Sequence, residues 1–234
     1  SLKGEGTEMP GAGRSTEDAY GPALMEFAAA GGELTVVEGG EGPGYGSAPF
    51  SKAYPGRVFN LGAAEQDMIL TAAGLALGGR NVCVSSSSSF LVGRGYEQIR
   101  SAIAIPGLPV KIVGSRCGVT VGEDGASRQM LEDFALMRVF PNMTVLAPAD
   151  YQSALGALKN AFSYNGPVYV RLGRGEAPAV YPDGDEDFRP GAGRVLREGT
   201  EVTLCCCGIM VAEALKAALD QINQRLEEIG KEQE

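Results

Sequence analysis

Three polar segments of the sequence could do chemistry. The first, 62–68, places Glu65 in the first turn of an apolar helical pattern. The second, 114–125, is rich in glycine, and the third is the serine run 85–89, which leads into Phe90. Each segment lies at the end of a predicted strand, where open parallel sheets usually bind their ligands. These segments are therefore the candidates for a ligand site.

Histidine is absent from the chain. This excludes Ser-His-Asp catalysis, Cys-His catalysis and histidine metal sites within it. A general base must then come from a carboxylate, a lysine, a tyrosine or a bound cofactor. Glu65 is a candidate for such chemistry, but a carboxylate in the first turn of a helix can also serve only to complement the helix dipole. The spacing of the residues leaves both interpretations open.

The other two segments also have plain structural interpretations. Segment 114–125 could be a surface loop, although loops of this length in compact domains are usually functional. The serine run could be a chance low-complexity stretch.

Strands and helices are predicted to alternate around these segments. Short runs rich in Val, Ile and Leu between helical patterns predict an α/β fold, with a mostly parallel sheet and helices on both faces. Ser15 and Asp18 have the spacing of a capping box, and Asp150 is predicted to cap a later helix. The predicted strands are 34–38, 81–85, 110–115, 144–147 and 168–172, and the predicted helices begin near residues 15, 64, 95, 128 and 150.

Composition divides the chain into four segments. Residues 1–14 are rich in glycine, proline and charge, which predicts a flexible arm. A main domain is predicted over 15–178 and a linker rich in Pro, Gly and Asp over 179–193. Residues 194–234 hold one predicted strand, 202–207, and one helix, too little to bury both faces of a sheet. This last segment is predicted to be a truncated C-terminal α/β domain that docks on something else.

Charge and hydropathy restrict the partners. The chain has 20 basic and 29 acidic residues, a net charge of −9, and neither sign forms a long run, so no nucleic-acid partner is expected. No apolar stretch reaches the roughly 18 residues of a membrane helix, and the sequence does not begin with a basic segment followed by an apolar run. We therefore expect a cytoplasmic protein that does not associate with membranes.

The cysteines are odd in number, and three of the five are consecutive in an apolar stretch. This pattern is typical of small core residues and not of a zinc site or a disulfide framework. All five are expected to be buried: Cys83, Cys117, Cys205, Cys206 and Cys207.

Six short motifs follow one another between about residues 15 and 174. They are Phe59–Gln66, Val121–Gly125, Leu131–Asp133, Pro141–Val145, Pro148–Asp150 and Gly166–Tyr169. In this order and spacing they resemble the transketolase family, and a weaker likeness over 196–214 is similar to the opening of the family's C-terminal domain. The resemblance implies the pyrimidine-binding half of a split transketolase that depends on thiamine diphosphate.

The resemblance assigns roles at the cofactor ring. In the family, the glutamate that matches Glu65 hydrogen-bonds the aminopyrimidine of thiamine diphosphate, and the cofactor's own nitrogen then acts as the base. Phe90 matches the aromatic residue that stacks on this ring. Ser87 stands where the family has a second phenylalanine, which implies a thinner wall. Glu65 is expected to lie in an apolar setting that keeps it able to donate a hydrogen bond.

The resemblance also implies a partner subunit. The family holds the diphosphate and its metal with a Gly-Asp-Gly motif and a downstream asparagine, and neither 123–125 nor 183–185 fits this pattern. This chain is therefore expected to supply no metal ligand. An N-terminal transketolase subunit would hold the diphosphate with Mg²⁺ or Ca²⁺, in an α2β2 heterotetramer.

The substrate positions depart from the family pattern. Where relatives that use sugar phosphates have an arginine, a histidine and an arginine, this chain has Glu17, Arg116 and Arg174. A second, variable histidine position is Arg128, and Asp124, which meets substrate hydroxyls in the family, is retained. The resemblance thus implies transfer of a two-carbon ketol unit to an aldehyde other than an ordinary sugar phosphate, for example one that is amino-bearing, carboxylated or carrier-linked.

Two other functions are open at this stage. A beta-type subunit of a 2-oxo-acid dehydrogenase would share the fold, although the segment Gly122–Gly125 favours transketolase. A non-catalytic structural or regulatory subunit would account for the missing histidines and for Ser87.

Overall fold

The fold is built on a six-stranded parallel β-sheet. The computed structural model describes residues 13–40, 46–185 and 187–232. The strands are β1 (Thr35–Glu38), β2 (Val58–Asn60), β3 (Val82–Ser87), β4 (Val110–Ser115), β5 (Thr144–Leu146) and β6 (Val168–Arg171). They lie in the order β2-β1-β3-β4-β6-β5, and every neighbouring pair is parallel. The predicted α/β fold is confirmed.

Helices cover both faces of the sheet. One face packs against α1, α2 and α6, and the other packs against α3, α4 and α5. The buried residues of these two sets of helices belong to two separate hydrophobic clusters. Adjacent strand residues point to opposite faces, so Val36 of β1 belongs to the first cluster and Val37 to the second. The helices are α1 (Tyr20–Ala29), α2 (Ala48–Ala53), α3 (Glu65–Leu77), α4 (Ser88–Gln98), α5 (Asp133–Arg138), α6 (Tyr151–Ser163) and α7 (Met210–Glu232).

Both predicted caps are present. The backbone N–H of Ser15 donates to Asp18 Oδ2 at 3.0 Å, and that of Asp18 donates to Ser15 Oγ at 3.2 Å. This reciprocal pair opens a short 3-10 helix, Glu17–Ala19, which leads directly into α1. At α6, Asp150 Oδ1 accepts from the Ser153 N–H at 2.9 Å.

The segment before α7 differs from the prediction. Residues 202–207 form no regular strand, and Cys205, Cys206 and Cys207 are exposed. Only Cys83 and Cys117 are buried, so the core assignment was wrong for the consecutive cysteines. An apolar run becomes a strand only where a neighbouring strand can pair with it, and the described segment has no such pairing.

Other element boundaries also differ. Helix α4 begins at Ser88, not near residue 95, and continues into a π-helical turn, Ile99–Ala104. Helix α5 begins at Asp133, not near 128. The sequence analysis missed the short elements α2 and β2.

Residues 1–12 of the predicted arm lie outside the described residues. Its end packs on the domain, because the Arg14 guanidinium lies 3.6 Å from the centre of the Tyr151 ring. The start of the predicted linker is also held, since the Val180 and Tyr181 N–H groups donate to Asp150 Oδ2 at 2.7 and 2.9 Å. Within the described part of the chain, no helix has both the length and the apolar character needed to cross a membrane.

Candidate active site

The predicted polar segments meet at the carboxyl edge of the sheet. Strand β3 ends in the buried serines 85–87, and β4 ends at Ser115, whose hydroxyl donates to Ser86 O at 3.2 Å. A cavity of about 360 Å³ opens at this edge and is lined by Glu17, Tyr20, Ser85 and Ser115 together with apolar residues such as Leu172. Glu65 and Phe90 are not part of its lining, so the cavity lies beside Glu17 and not at the start of α3.

Glu65 is the first residue of α3 and lies at this edge. Its side chain is only 3% exposed. The turn before it is held by Asn60, whose Oδ1 accepts from the Gly62 N–H at 2.8 Å. Glu65 Oε2 lies 3.2 Å from Arg94 Nη1, an ion pair that the expectation of an apolar setting did not include. The carboxyl group is buried as predicted, but it is paired with a cation.

Phe90 lies under two guanidinium groups. It is in the first turn of α4, with Arg94 one turn later on the same helix face. The guanidinium carbon of Arg94 is 4.1 Å from the centre of the Phe90 ring, and that of Arg128 is 4.6 Å from it. Ser87, the N-cap residue of α4, is buried, and its hydroxyl is 3.3 Å from Ser89 Oγ. The predicted cofactor-ring residues Glu65, Phe90 and Ser87 therefore cluster at the starts of α3 and α4.

The predicted substrate residues form a second cluster. Asp124 Oδ2 lies 3.2 Å from Arg174 Nη1 and 3.7 Å from Arg116 Nη1. Glu17 Oε2 accepts from the Arg116 N–H at 3.2 Å, and the Glu17 N–H donates to Gly173 O at 3.3 Å. Two carboxylates thus face two guanidinium groups. Arg128 is the exception among the predicted substrate residues, because its described contact is with Phe90.

The charge of Glu17 is set by opposing effects. Burial raises the pKa of its carboxyl group above the usual value, and the Arg116 N–H and the guanidinium groups of Arg116 and Arg174 oppose that rise. The sequence analysis singled out Glu17 because it stands where the family resemblance expects an arginine. In the structure this residue is a half-buried acid beside two arginines.

A buried network supports the loop that carries these residues. Asp133 Oδ2 accepts from Tyr169 Oη and from Arg171 Nε, both at 2.8 Å. Tyr169 Oη is also 2.8 Å from Ser88 Oγ. This network ties the start of α5 to β6 and to the start of α4. Arg171 Nη2 also donates to Met130 O at 3.4 Å, which connects the network to the end of the loop 116–130.

The sequence analysis missed two site residues. Glu38, at the end of β1, is buried and accepts a hydrogen bond from Ser47 Oγ, and burial raises the pKa of its carboxyl group. No motif marked it. Arg94 was also missed, although its spacing of four residues from Phe90 on a helix could have indicated the contact.

A known domain accounts for most of the chain. The profile of the transketolase pyrimidine-binding domain matches residues 12–179. The chain belongs to the transketolase family. All the residues of the two clusters described above lie within the matched range.

Two relatives resemble the chain over most of its length. A putative transketolase C-terminal section from Methanocaldococcus jannaschii is 42% identical over 211 residues, which are 90% of this chain and 67% of that protein. A 6-deoxy-6-sulfo-D-fructose transketolase subunit from a Clostridium species is 38% identical over 208 residues, 88% of this chain and 64% of that protein. The chain therefore spans about two thirds of the length of these transketolases.

A solved structure shows the same architecture. It is a split-gene transketolase, described as an inactive beta4 tetramer, and it matches with a TM-score of 0.81 and 41% identity. The match covers 93% of this chain and 69% of that one. The predicted resemblance to a split transketolase is thus confirmed.

The residues at the starts of α3 and α4 fit one half of thiamine diphosphate. A buried carboxyl group beside an aromatic face suits an aminopyrimidine, which is planar and carries ring nitrogens that accept hydrogen bonds. The Arg94 guanidinium, itself planar and polar, already contacts both groups. Among the described residues, no group of three or more Cys, Asp or Glu side chains is placed to hold a metal ion.

Proposed function

We propose that this chain is the pyrimidine-binding subunit of a thiamine-diphosphate-dependent transketolase and that Glu65 activates the cofactor. The observation that carries the proposal is the position of Glu65, a buried carboxyl group in the first turn of α3 that shares Arg94 with the Phe90 ring. Glu65 would hold the aminopyrimidine by a hydrogen bond, and Phe90 would stack on it. When bound, thiamine diphosphate supplies the electron sink for breaking and forming carbon–carbon bonds.

The chain itself would contribute by positioning the cofactor ring and by excluding water. The first turn of α3 fixes the Glu65 backbone, and burial keeps bulk water away from its carboxyl group. Ser87 leaves more space beside the ring than a phenylalanine would.

The acceptor is proposed to be an aldehyde other than an ordinary sugar phosphate. Arg116 and Arg174 face Asp124, and Glu17 lies against the backbone of Arg116. A phosphate group would have to share these guanidinium groups with Asp124 and would lie near the Glu17 carboxylate, and both carboxylates would repel it.

The other half of the active site is proposed to lie on a separate N-terminal transketolase subunit. That subunit would hold the diphosphate with Mg²⁺ or Ca²⁺, in an α2β2 assembly. The proposal is supported by the two relatives, one of which is described as a transketolase C-terminal section and the other as a transketolase subunit. It is also supported by the similar split-gene transketolase, which is described as inactive in its beta4 form.

The substitution Glu65→Gln tests the proposal in the complex purified from the native source. An amide cannot serve as the proton-exchanging partner of the ring, so kcat for ketol transfer is expected to fall by about 10²- to 10⁴-fold. The matched control is Asp67→Asn, which removes an exposed carboxylate from the same first turn of α3. The control is expected to keep the turnover of the unmodified complex.

The outcomes separate the three candidate functions. Unchanged turnover in Glu65→Gln would show that the chain is a non-catalytic scaffold. Product analysis with pyruvate as donor would reveal a 2-oxo-acid dehydrogenase subunit if oxidative decarboxylation occurred and ketol transfer did not.

A further inference from the structure

Arg94 contacts both groups that the proposed function assigns to the cofactor ring. Its Nη1 lies 3.2 Å from Glu65 Oε2, and its guanidinium carbon lies 4.1 Å from the centre of the Phe90 ring. The two ends of the ion pair differ in environment, because Glu65 is 3% exposed and the Arg94 side chain is 54% exposed. The guanidinium group of a largely exposed side chain therefore reaches a buried carboxyl group.

A guanidinium group and an aminopyrimidine make similar demands on their surroundings. A guanidinium is planar, donates N–H groups to carboxylates and stacks on aromatic faces. An aminopyrimidine is also planar, stacks on aromatic faces and hydrogen-bonds a carboxyl group through a ring nitrogen. Both would use the Glu65 carboxyl group and the Phe90 ring. Of the two guanidinium groups described over Phe90, that of Arg94 also contacts Glu65, so Arg94 and the aminopyrimidine would compete for this position.

We propose that Arg94 is a gate of the cofactor site, which fills the aminopyrimidine position in the cofactor-free chain and turns towards solvent when the ring binds. This inference rests on the proposed roles of Glu65 and Phe90. The movement requires only side-chain rotation, since Arg94 lies within α4 and its backbone carbonyl accepts from Gln66 Nε2 at 3.2 Å. The helix itself stays in place.

Equilibrium binding of thiamine diphosphate to the complex tests this gate. In calorimetric titrations of the complex freed of cofactor, Arg94→Ala is expected to lower Kd by about tenfold, or about 1.4 kcal/mol, because the ring no longer displaces the guanidinium. The association rate in stopped-flow measurements is expected to rise in the same variant. Arg94→Lys keeps the charge but loses the planar stacking group, so its Kd is expected to lie between the two.

The control variant is Arg138→Ala, which removes an exposed arginine from the last turn of α5. It is expected to bind thiamine diphosphate as the unmodified complex does. Alanine is favourable in a helix interior, so Arg94→Ala is expected to fold normally, and its circular dichroism checks this.

The outcomes distinguish the gate from the function on which it rests. If the unmodified complex binds thiamine diphosphate and Arg94→Ala binds it equally well or more weakly, the gate is wrong and the proposed function stands. If the unmodified complex does not bind thiamine diphosphate, the proposed function fails and the gate fails with it.

Discussion

Two acidic residues, Glu65 and Glu17, lie at one edge of the sheet in different surroundings. Glu65 is buried and lies 3.2 Å from an exposed guanidinium group, that of Arg94. Glu17 is half-buried, and its neighbours Arg116 and Arg174 are themselves engaged by Asp124. A pair with one exposed partner suits the proposed role of Glu65 at the cofactor ring, whereas the cluster around Glu17 suits its proposed role in selecting the acceptor.

Glu17→Gln is expected to improve the use of a phosphorylated acceptor. The substitution removes a negative charge next to Arg116 and Arg174, which leaves these cations more available to a phosphate. The KM of the complex for ribose 5-phosphate is expected to fall by about three- to tenfold, which corresponds to roughly 1 kcal/mol of relieved repulsion. Steady-state kinetics with ribose 5-phosphate measures the effect.

The comparison uses Glu33→Gln, which removes an exposed carboxylate before β1 and is expected to leave KM unchanged. The acceptor hypothesis is wrong if the unmodified complex turns over ribose 5-phosphate at the rate of an ordinary transketolase.

The secondary-structure elements show which features the sequence could predict. The caps at Ser15 and Asp150 were correct because they depend on residues three positions apart. The central strands were correct because both of their faces are buried, which requires nearly continuous apolar runs. Local pattern was sufficient in both cases.

Other elements depend on contacts between distant residues. Strand β2 has only three residues, of which Phe59 and Asn60 are exposed, so no periodic pattern marked it. Segment 202–207 has an apolar pattern but no pairing strand, and the prediction of a strand was therefore wrong. The Glu65–Arg94 pair joins two helices, and the positions of Glu65 and Phe90 in the sequence could not specify it.

Asp150→Ala is expected to destabilise the junction of β5, α6 and the linker. Asp150 is buried and accepts from the N–H groups of Ser153, Val180 and Tyr181. Alanine leaves all three donors without this acceptor, and the free energy of unfolding is expected to fall by about 2–4 kcal/mol. Urea denaturation of the chain measures the change.

Asp150→Asn is the matched variant for this experiment. Its amide oxygen can still accept from the Ser153 N–H but lacks the second carboxylate oxygen, so about half of the loss is expected. Equal stability of Asp150→Ala and the unmodified chain would show that the linker contacts contribute nothing.

At the scale of the whole molecule, the core and the segment after the sheet differ sharply. Cys83 and Cys117 are buried, and burial raises the pKa of their thiols to about 12 and about 11. Cys205 to Cys207 are exposed, as are Val202 and Leu204. The sheet and its helices thus form a complete core, whereas the segment before α7 leaves apolar side chains uncovered.

The proposed division of the cofactor site between two chains predicts a difference between the isolated chain and the complex. The isolated chain would offer thiamine diphosphate the Glu65 and Phe90 contacts to the ring, and the partner is proposed to add those to the diphosphate and its metal. Because both contacts act on one ligand, the complex is expected to bind about 10²- to 10⁴-fold more tightly than the isolated chain.

Removal of divalent metal with a chelator should abolish this gain in the complex and leave the weak binding of the isolated chain unchanged. Calorimetric titrations of both samples, with and without chelator, measure these values, and metal-dependent binding by the isolated chain at the affinity of the complex would show that the site is not divided.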